Sequence, residues 1–186
     1  MSHMSFEVRK YWDIYPCMHQ IDDMDVRILT QLQRDGTLSV DALSERVNLS
    51  RNACWRRVKL MEERGLIRDR VAILDAEAAG CGLSVFIFVR AASHDAGWLR
   101  QFREAVAGFP EIVGVYRTSG DLDYVLRARV FDVKAYDRLY QRLIAKVKLA
   151  DVSASFVMEE IKETTEIPLS ALGRGATCCR PGRTAI

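Results

Sequence analysis

Two aspartates one residue apart, Asp121 and Asp123, sit in the stretch YRTSGDLDYVLRARV (116–130), beside a glycine and among hydroxyl and aromatic side chains. Carboxylates so placed can form an acid/base couple, supply half a metal site, hold a small-molecule ammonium, or bond local backbone N–H groups in a turn. The catalytic option lacks companions. No nucleophile motif occurs, and His3, His19 and His94 fall in an N-terminal arm or an inter-element loop. No catalytic residue is therefore expected. The five cysteines, at 17, 54, 81, 178 and 179, show no metal-ligand spacing, so neither a metal nor a cofactor is expected. Two readings stay open: aspartate after glycine commonly bonds local backbone N–H groups, or the pair serves a small amino acid. Its ammonium asks for carboxylates or carbonyls, and its carboxylate for N–H or hydroxyl donors. Gly120 permits close backbone approach, Asp121 and Asp123 can take the ammonium, and Thr118, Ser119, Ser153 and Ser155 offer hydroxyls. Strand alternation sets Leu122, Tyr124 and Leu126 on one face and Asp123 and Val125 on the other, while Asp121 lies at the turn.

A second set of residues suits nucleic acid. Ser50 is placed to cap a helix in which Cys54, Val58 and Met61 line one side, leaving Arg51, Asn52, Trp55, Arg56 and Lys59 on or near the outer face. Arg51 and Asn52, in the first turn, can fork onto guanine and adenine edges, and Trp55 can pack on sugars or a thymine methyl. Arg56, Arg57 and Lys59 suit phosphates, which fix register without reading sequence. Residues 51–70 carry seven basic side chains against Glu62, Glu63 and Asp69, whereas the preceding segment 22–45 is acidic. That segregation argues against a merely solvated helix face. Cys54, at an inward position, reads as a small core residue.

The elements that must hold these residues follow from periodicity. From 21 to 67 apolar residues fall at helical spacing in three short runs. The first ends at Asp35-Gly36, where Gly36 can supply a left-handed cap. Ser39 caps the second, Asn48 suits a left-handed position between helices, and Gly65 stops the third. From 83 to about 165 the signals alternate. LSVFIFVRA (83–91) is apolar on both faces, a helix carries Trp98, Phe102 and Val106, and two strands meet around Gly120-Asp121. A second helix runs from Val133 to Val147, and VSASFVMEEIKETT (152–165) reads as the last strand. The fold class is therefore α+β: a winged helix-turn-helix followed by a ferredoxin-like βαββαβ domain. The expected boundaries are an arm at 1–20, a DNA-binding domain at 21–67, a wing and linker at 68–82 with a short hairpin strand, a ligand-binding and oligomerising domain at 83–169, and a tail at 170–186. Net charge is +2, no run approaches a membrane span, and no secretory apolar segment opens the chain, which points to the cytoplasm. Val85, Ile87 and Val89 share one face of the first strand and Phe86 and Phe88 the other, so the second face needs cover from another subunit and a dimer is expected.

The segment IDDMDVRILTQLQRDGTLSVDALSERVNLSRNACWRRVKLMEERGLI closely resembles the DNA-binding domain of the Lrp/AsnC (feast/famine) regulators. It keeps Ile21, Asp22, Asp25, Ile28, Leu29, Leu32, Asp35, Gly36, Leu49, Ser50, Cys54, Arg57, Val58, Gly65 and Ile67 of the family's pattern. It departs at Thr37, at Asn48 and at Trp55-Arg56, the last bearing on which operator is read. GVYRTSGDLDYVLRARVFDVKAY and FVMEEIKETTEIPL resemble the family's signature hairpin and final strand, so the resemblance covers about residues 20–169. It implies a sequence-specific regulator with double-stranded operator DNA and an amino-acid effector as partners. It also implies a homo-oligomer, with dimers assembling to tetramers or octamers, whose assembly responds to the effector. By matched position, Ser50, Arg51, Asn52, Trp55, Arg56, Arg57 and Lys59 are expected at DNA. Tyr116, Thr118, Gly120, Asp121, Asp123, Tyr124, Ser153 and Ser155 are expected at the effector. The alternative is an amino-acid-sensing allosteric module that does not bind DNA.

Overall fold

Asp22 starts the first helix, α1 (Asp23–Arg34), through a capping box: its side chain accepts the Asp25 N–H and the Asp25 side chain accepts the Asp22 N–H. The computed structural model describes residues 21–169; the arm at 1–20, the tail at 170–186 and Cys178 and Cys179 lie outside them. α1 does not end as expected. Asp35 closes it in an extended conformation (φ −144°), and its carboxylate accepts both the N–H and the hydroxyl of Thr37, so Gly36 adopts no left-handed turn. Ser39 and Ser50 do cap α2 (Val40–Val47) and α3 (Arg51–Glu63), each accepting the N–H three residues on. Between them Asn48 takes the left-handed conformation at φ 56°, ψ 52°. Gly65 does the same past α3 at φ 70°. Ile28, Leu29, Leu43, Val47, Cys54, Val58 and Met61 close over one core.

The chain divides into two compact units. The first holds these helices and, unexpectedly, the segment from Thr164 to Leu169, while Ile73–Glu163 make up the second. Gln33 clamps the Ile167 backbone, donating to its carbonyl at 3.3 Å and accepting its N–H at 2.7 Å, and Leu169 is buried in the helical core.

The second unit carries β1 (Leu83–Ala91), α4 (Ala96–Ala107), β2 (Ile112–Arg117), β3 (Tyr124–Val130), α5 (Val133–Lys146) and β4 (Leu149–Phe156), the βαββαβ order expected. The sheet is antiparallel with strand order β2-β3-β1-β4. Val85, Ile87 and Val89 of β1 and Tyr124, Leu126 and Ala128 of β3 pack against Trp98, Phe102, Leu139 and Leu143 of the two helices. Burying each large aliphatic side chain contributes about 1.5–3 kcal/mol before entropy is charged. Phe86 and Phe88 lie half-buried on the other face. Two strand expectations fail. No strand forms among residues 64–82; Val71, Ile73 and Leu74 lie 75–78% exposed, since a strand needs a ladder partner and none lies alongside among the described residues. β4 stops at Phe156, opposite Val85 of β1, and Val157 makes one further backbone bond, to the Ser84 carbonyl. Beyond it, Glu160 and Glu163 pair with Arg129 and Arg127 of β3.

Candidate nucleic-acid interface and hairpin site

Cys54, Val58 and Met61 anchor α3 in the helical core, and this burial decides which side chains it shows to solvent. At about 100° per residue, Arg51, Asn52, Trp55, Arg56 and Lys59 span roughly 140° of the helix circumference. All five are exposed, Trp55 at 56%. Among the described residues Arg51 is held only by an exposed pair with Asp41 (3.1 Å), a contact weak enough to exchange for a base edge. Ser50 spends its hydroxyl on the Ala53 N–H, which leaves it a cap that orients the first turn. No acidic residue occupies that turn, so the positive end of the helix dipole stays open to an anion.

Arg57 stands apart. It falls about 100° past Arg56 on the helix circumference, toward Met61 and Cys54. Its Nη1 lies 2.7 Å from Asp22 Oδ2 and 2.8 Å from Asp25 Oδ1. Burial raises the Asp22 carboxyl, but the Asp25 N–H and the Arg57 guanidinium outweigh it and hold the group below its ordinary value. Hydrogen bonds from Arg57 to Asp25 and Asp22 in turn push the guanidinium further up. The Nη1 that the expected phosphate contact of Arg57 could use is therefore already shared by two carboxylates. The sequence signal was present in the spacing: position 57 shares the arc of 54 and 61 rather than that of 52 and 56.

In the hairpin the two aspartates part company. Asp123 is built into the turn: its N–H donates to Val89 O (3.1 Å), its carbonyl accepts Thr118 N–H (2.9 Å), and its Oδ2 accepts Ala91 N–H (2.8 Å). Asp121 is exposed; its carbonyl accepts Arg90 Nε (3.2 Å), and its carboxylate makes no hydrogen bond or ion pair among the described residues. Gly120, at φ 129°, holds a conformation that side chains disfavour. The Thr118 hydroxyl donates to the Leu122 carbonyl. Two residues that sequence reasoning does not single out join the hairpin: Arg90, near the end of β1, and His94, just past it, whose Nε2 lies 3.9 Å from Asp123 Oδ1, because the β1–β3 register brings that end of the strand to the turn.

Three expected effector residues do not join this group. Tyr124 is turned into the core, its ring 4.6 Å from Phe102 and 5.8 Å from Trp98, because alternation places it with Leu126 and Ala128. Ser153 and Ser155 face outward on the opposite edge strand. Tyr116, Val125, Phe88 and Ser153 form one cross-strand row. At about 4.8 Å per strand the ends of that row lie roughly 14 Å apart, beyond the reach of one small ligand within one chain. Tyr116 is 54% exposed and its ring lies across Gly114, where any Cβ would meet the phenol oxygen at 2.8 Å.

Residues 84–167 match the model of the Lrp/AsnC ligand-binding domain, and residues 21–68 match a winged helix-turn-helix DNA-binding model. A glutamate uptake regulatory protein of Zymomonas mobilis is 46% identical over 152 residues, 82% of this chain and 93% of that protein. The chain belongs to the Lrp/AsnC family. Lrp/AsnC members are transcriptional regulators, and two solved ones share this architecture. An AsnC family transcriptional regulator from Agrobacterium tumefaciens is 51% identical with a TM-score of 0.78, over 81% of this chain and 98% of that one. A transcriptional regulator from Neisseria meningitidis, solved in complex with L-methionine, is 36% identical with the same TM-score and coverage. Among the described residues no helix is long and apolar enough to cross a membrane.

Proposed function

We propose that this Lrp/AsnC protein reads operator DNA with the outer face of α3 and takes a free amino acid at the 118–123 hairpin. The observation that carries the DNA assignment is the single exposed arc of Arg51, Asn52, Trp55, Arg56 and Lys59 beside a serine-capped helix start. In this reading Arg51 and Asn52 enter the major groove, Arg56 and Lys59 rest on phosphates, and Trp55 packs on sugar or a thymine methyl. The effector assignment is supported by the uncommitted Asp121 carboxylate beside Gly120, and by the L-methionine complex of the Neisseria relative. The half-buried Phe86, Phe88 and Val125 on the open sheet face favour a second copy as cover, so the working particle is an oligomer whose assembly the effector adjusts. Such a particle acts where the DNA is, in the cytoplasm.

The test has two arms. Selection from a random duplex library with the purified protein is expected to enrich a defined sequence, and no enrichment would remove the DNA reading. A thermal-shift panel of the twenty amino acids is expected to raise the midpoint with a restricted subset, because a ligand at 100 times its Kd adds about 2.7 kcal/mol. A flat panel would remove the effector reading.

A further inference from the structure

Arg57 lies on the recognition helix but faces away from the arc that the proposed reading assigns to DNA. Its partners are not loose surface acids. Asp22 gives Oδ1 to the Asp25 N–H and Oδ2 to Arg57, while Asp25 gives Oδ2 to the Asp22 N–H and Oδ1 to Arg57. Each carboxylate thus divides its two oxygens between capping α1 and holding α3. The Asp25 side chain is only 15% exposed and that of Arg57 31%, so the pair is screened less than a surface bridge. One positive and two negative charges leave the cluster at −1 (1 − 2), which opposes a phosphate settling there.

Apart from the exposed Arg51–Asp41 pair, the rest of the α3 seat is non-directional. Cys54, Val58 and Met61 meet Ile28 and Leu29 through apolar contact alone, and such surfaces tolerate rotation of a helix about its own axis. A cation gripped by two carboxylates does not, because charge-assisted hydrogen bonds weaken quickly with angle and distance. At a radius of about 6 Å a roll of roughly 15° moves an outward side chain by about 1.5 Å. That displacement removes a hydrogen bond to a base edge but barely alters a diffuse attraction to phosphates.

We infer that Arg57 is a positioning residue of DNA reading: bound to Asp22 and Asp25, it sets the rotation of α3 and so the aim of Arg51 and Asn52. This rests on the proposed DNA reading and separates from it experimentally. The probes are a duplex enriched from a random library by the wild-type protein and a scrambled duplex of the same composition, each titrated at several salt concentrations. Arg57→Ala and the pair Asp22→Asn with Asp25→Asn, which keeps both capping acceptors, are compared with Arg56→Ala. The inference expects both perturbations of the cluster to lower the preference for the selected duplex tenfold or more at an unchanged salt slope. Combining them should cost no more than either alone. Arg57→Lys, retaining charge without the planar fork, is expected to recover part of the preference. Arg56→Ala should instead reduce the slope by about 0.9. If Arg57→Ala lowers the slope by that amount while the aspartate pair variant keeps its preference, Arg57 is a phosphate contact and the inference is overturned. Equal weakening on both duplexes at unchanged slope would overturn it too, marking a role in folding alone. Should Arg57→Ala fail to fold, the aspartate pair variant decides. Failure of the wild-type protein to enrich any duplex would overturn the DNA reading, and this inference with it.

Discussion

Asp121 and Asp123 share a motif, a spacing and a formal charge, yet their surroundings give them different work. Asp123 satisfies the N–H of Ala91, a residue 8% exposed, so removing its carboxylate strands a buried donor. Asp123→Ala is expected to destabilise the second unit by about 1–3 kcal/mol in chemical denaturation. Asp121→Asn is expected to leave that midpoint unchanged and to erase the thermal shift given by whichever amino acid stabilises the wild-type protein. The opposite pattern, a stability loss at 121 and a ligand loss confined to 123, would reverse the two roles. The sequence separated this pair by alternation alone. It could not show the Ala91 contact, which depends on where the end of β1 lies against the start of β3. Arg57 carries the same lesson: its type and charge suggested phosphate, and only the fold brings Asp22, 35 residues earlier, to its guanidinium.

At the scale of elements, local chemistry was most legible where a single residue decides the geometry. Ser39 and Ser50 read as caps and are caps; Asn48 read as left-handed and has φ 56°. Asn48→Gly is expected to leave thermal stability unchanged or slightly raised, because glycine enters that region freely. Asn48→Ala is expected to cost about 1–2 kcal/mol, the penalty for an ordinary side chain there. Equal midpoints for the two variants would contradict the assignment of that turn. The apolar alternation of β1 likewise reported both faces of the sheet. What the sequence did not disclose were events set by a distant partner. The VSASFVMEE run stays strand-like past Phe156, yet β4 ends there, opposite Val85, and Glu160 and Glu163 pair instead with Arg129 and Arg127. Val71, Ile73 and Leu74 carry strand-forming side chains but find no ladder among the described residues.

At the scale of the whole molecule, two units with separate cores divide the labour, one exposing a basic helix and the other a hairpin with a free carboxylate. The return of Ile167 and Leu169 to the first unit was hidden from the sequence, since the short segment that carries them has no periodic signal to place it. The central claim is that the exposed arc of α3 reads DNA. Its most direct test is the affinity of the double variant Arg51→Ala with Arg56→Ala for a duplex selected by the wild-type protein, with light scattering on both. Loss of a bidentate base contact costs about 1–3 kcal/mol, and loss of one phosphate contact reduces the salt slope by about 0.9. The account predicts that specific retardation disappears while the oligomer keeps its mass. Retention of wild-type affinity and salt slope by a correctly assembled variant would contradict it.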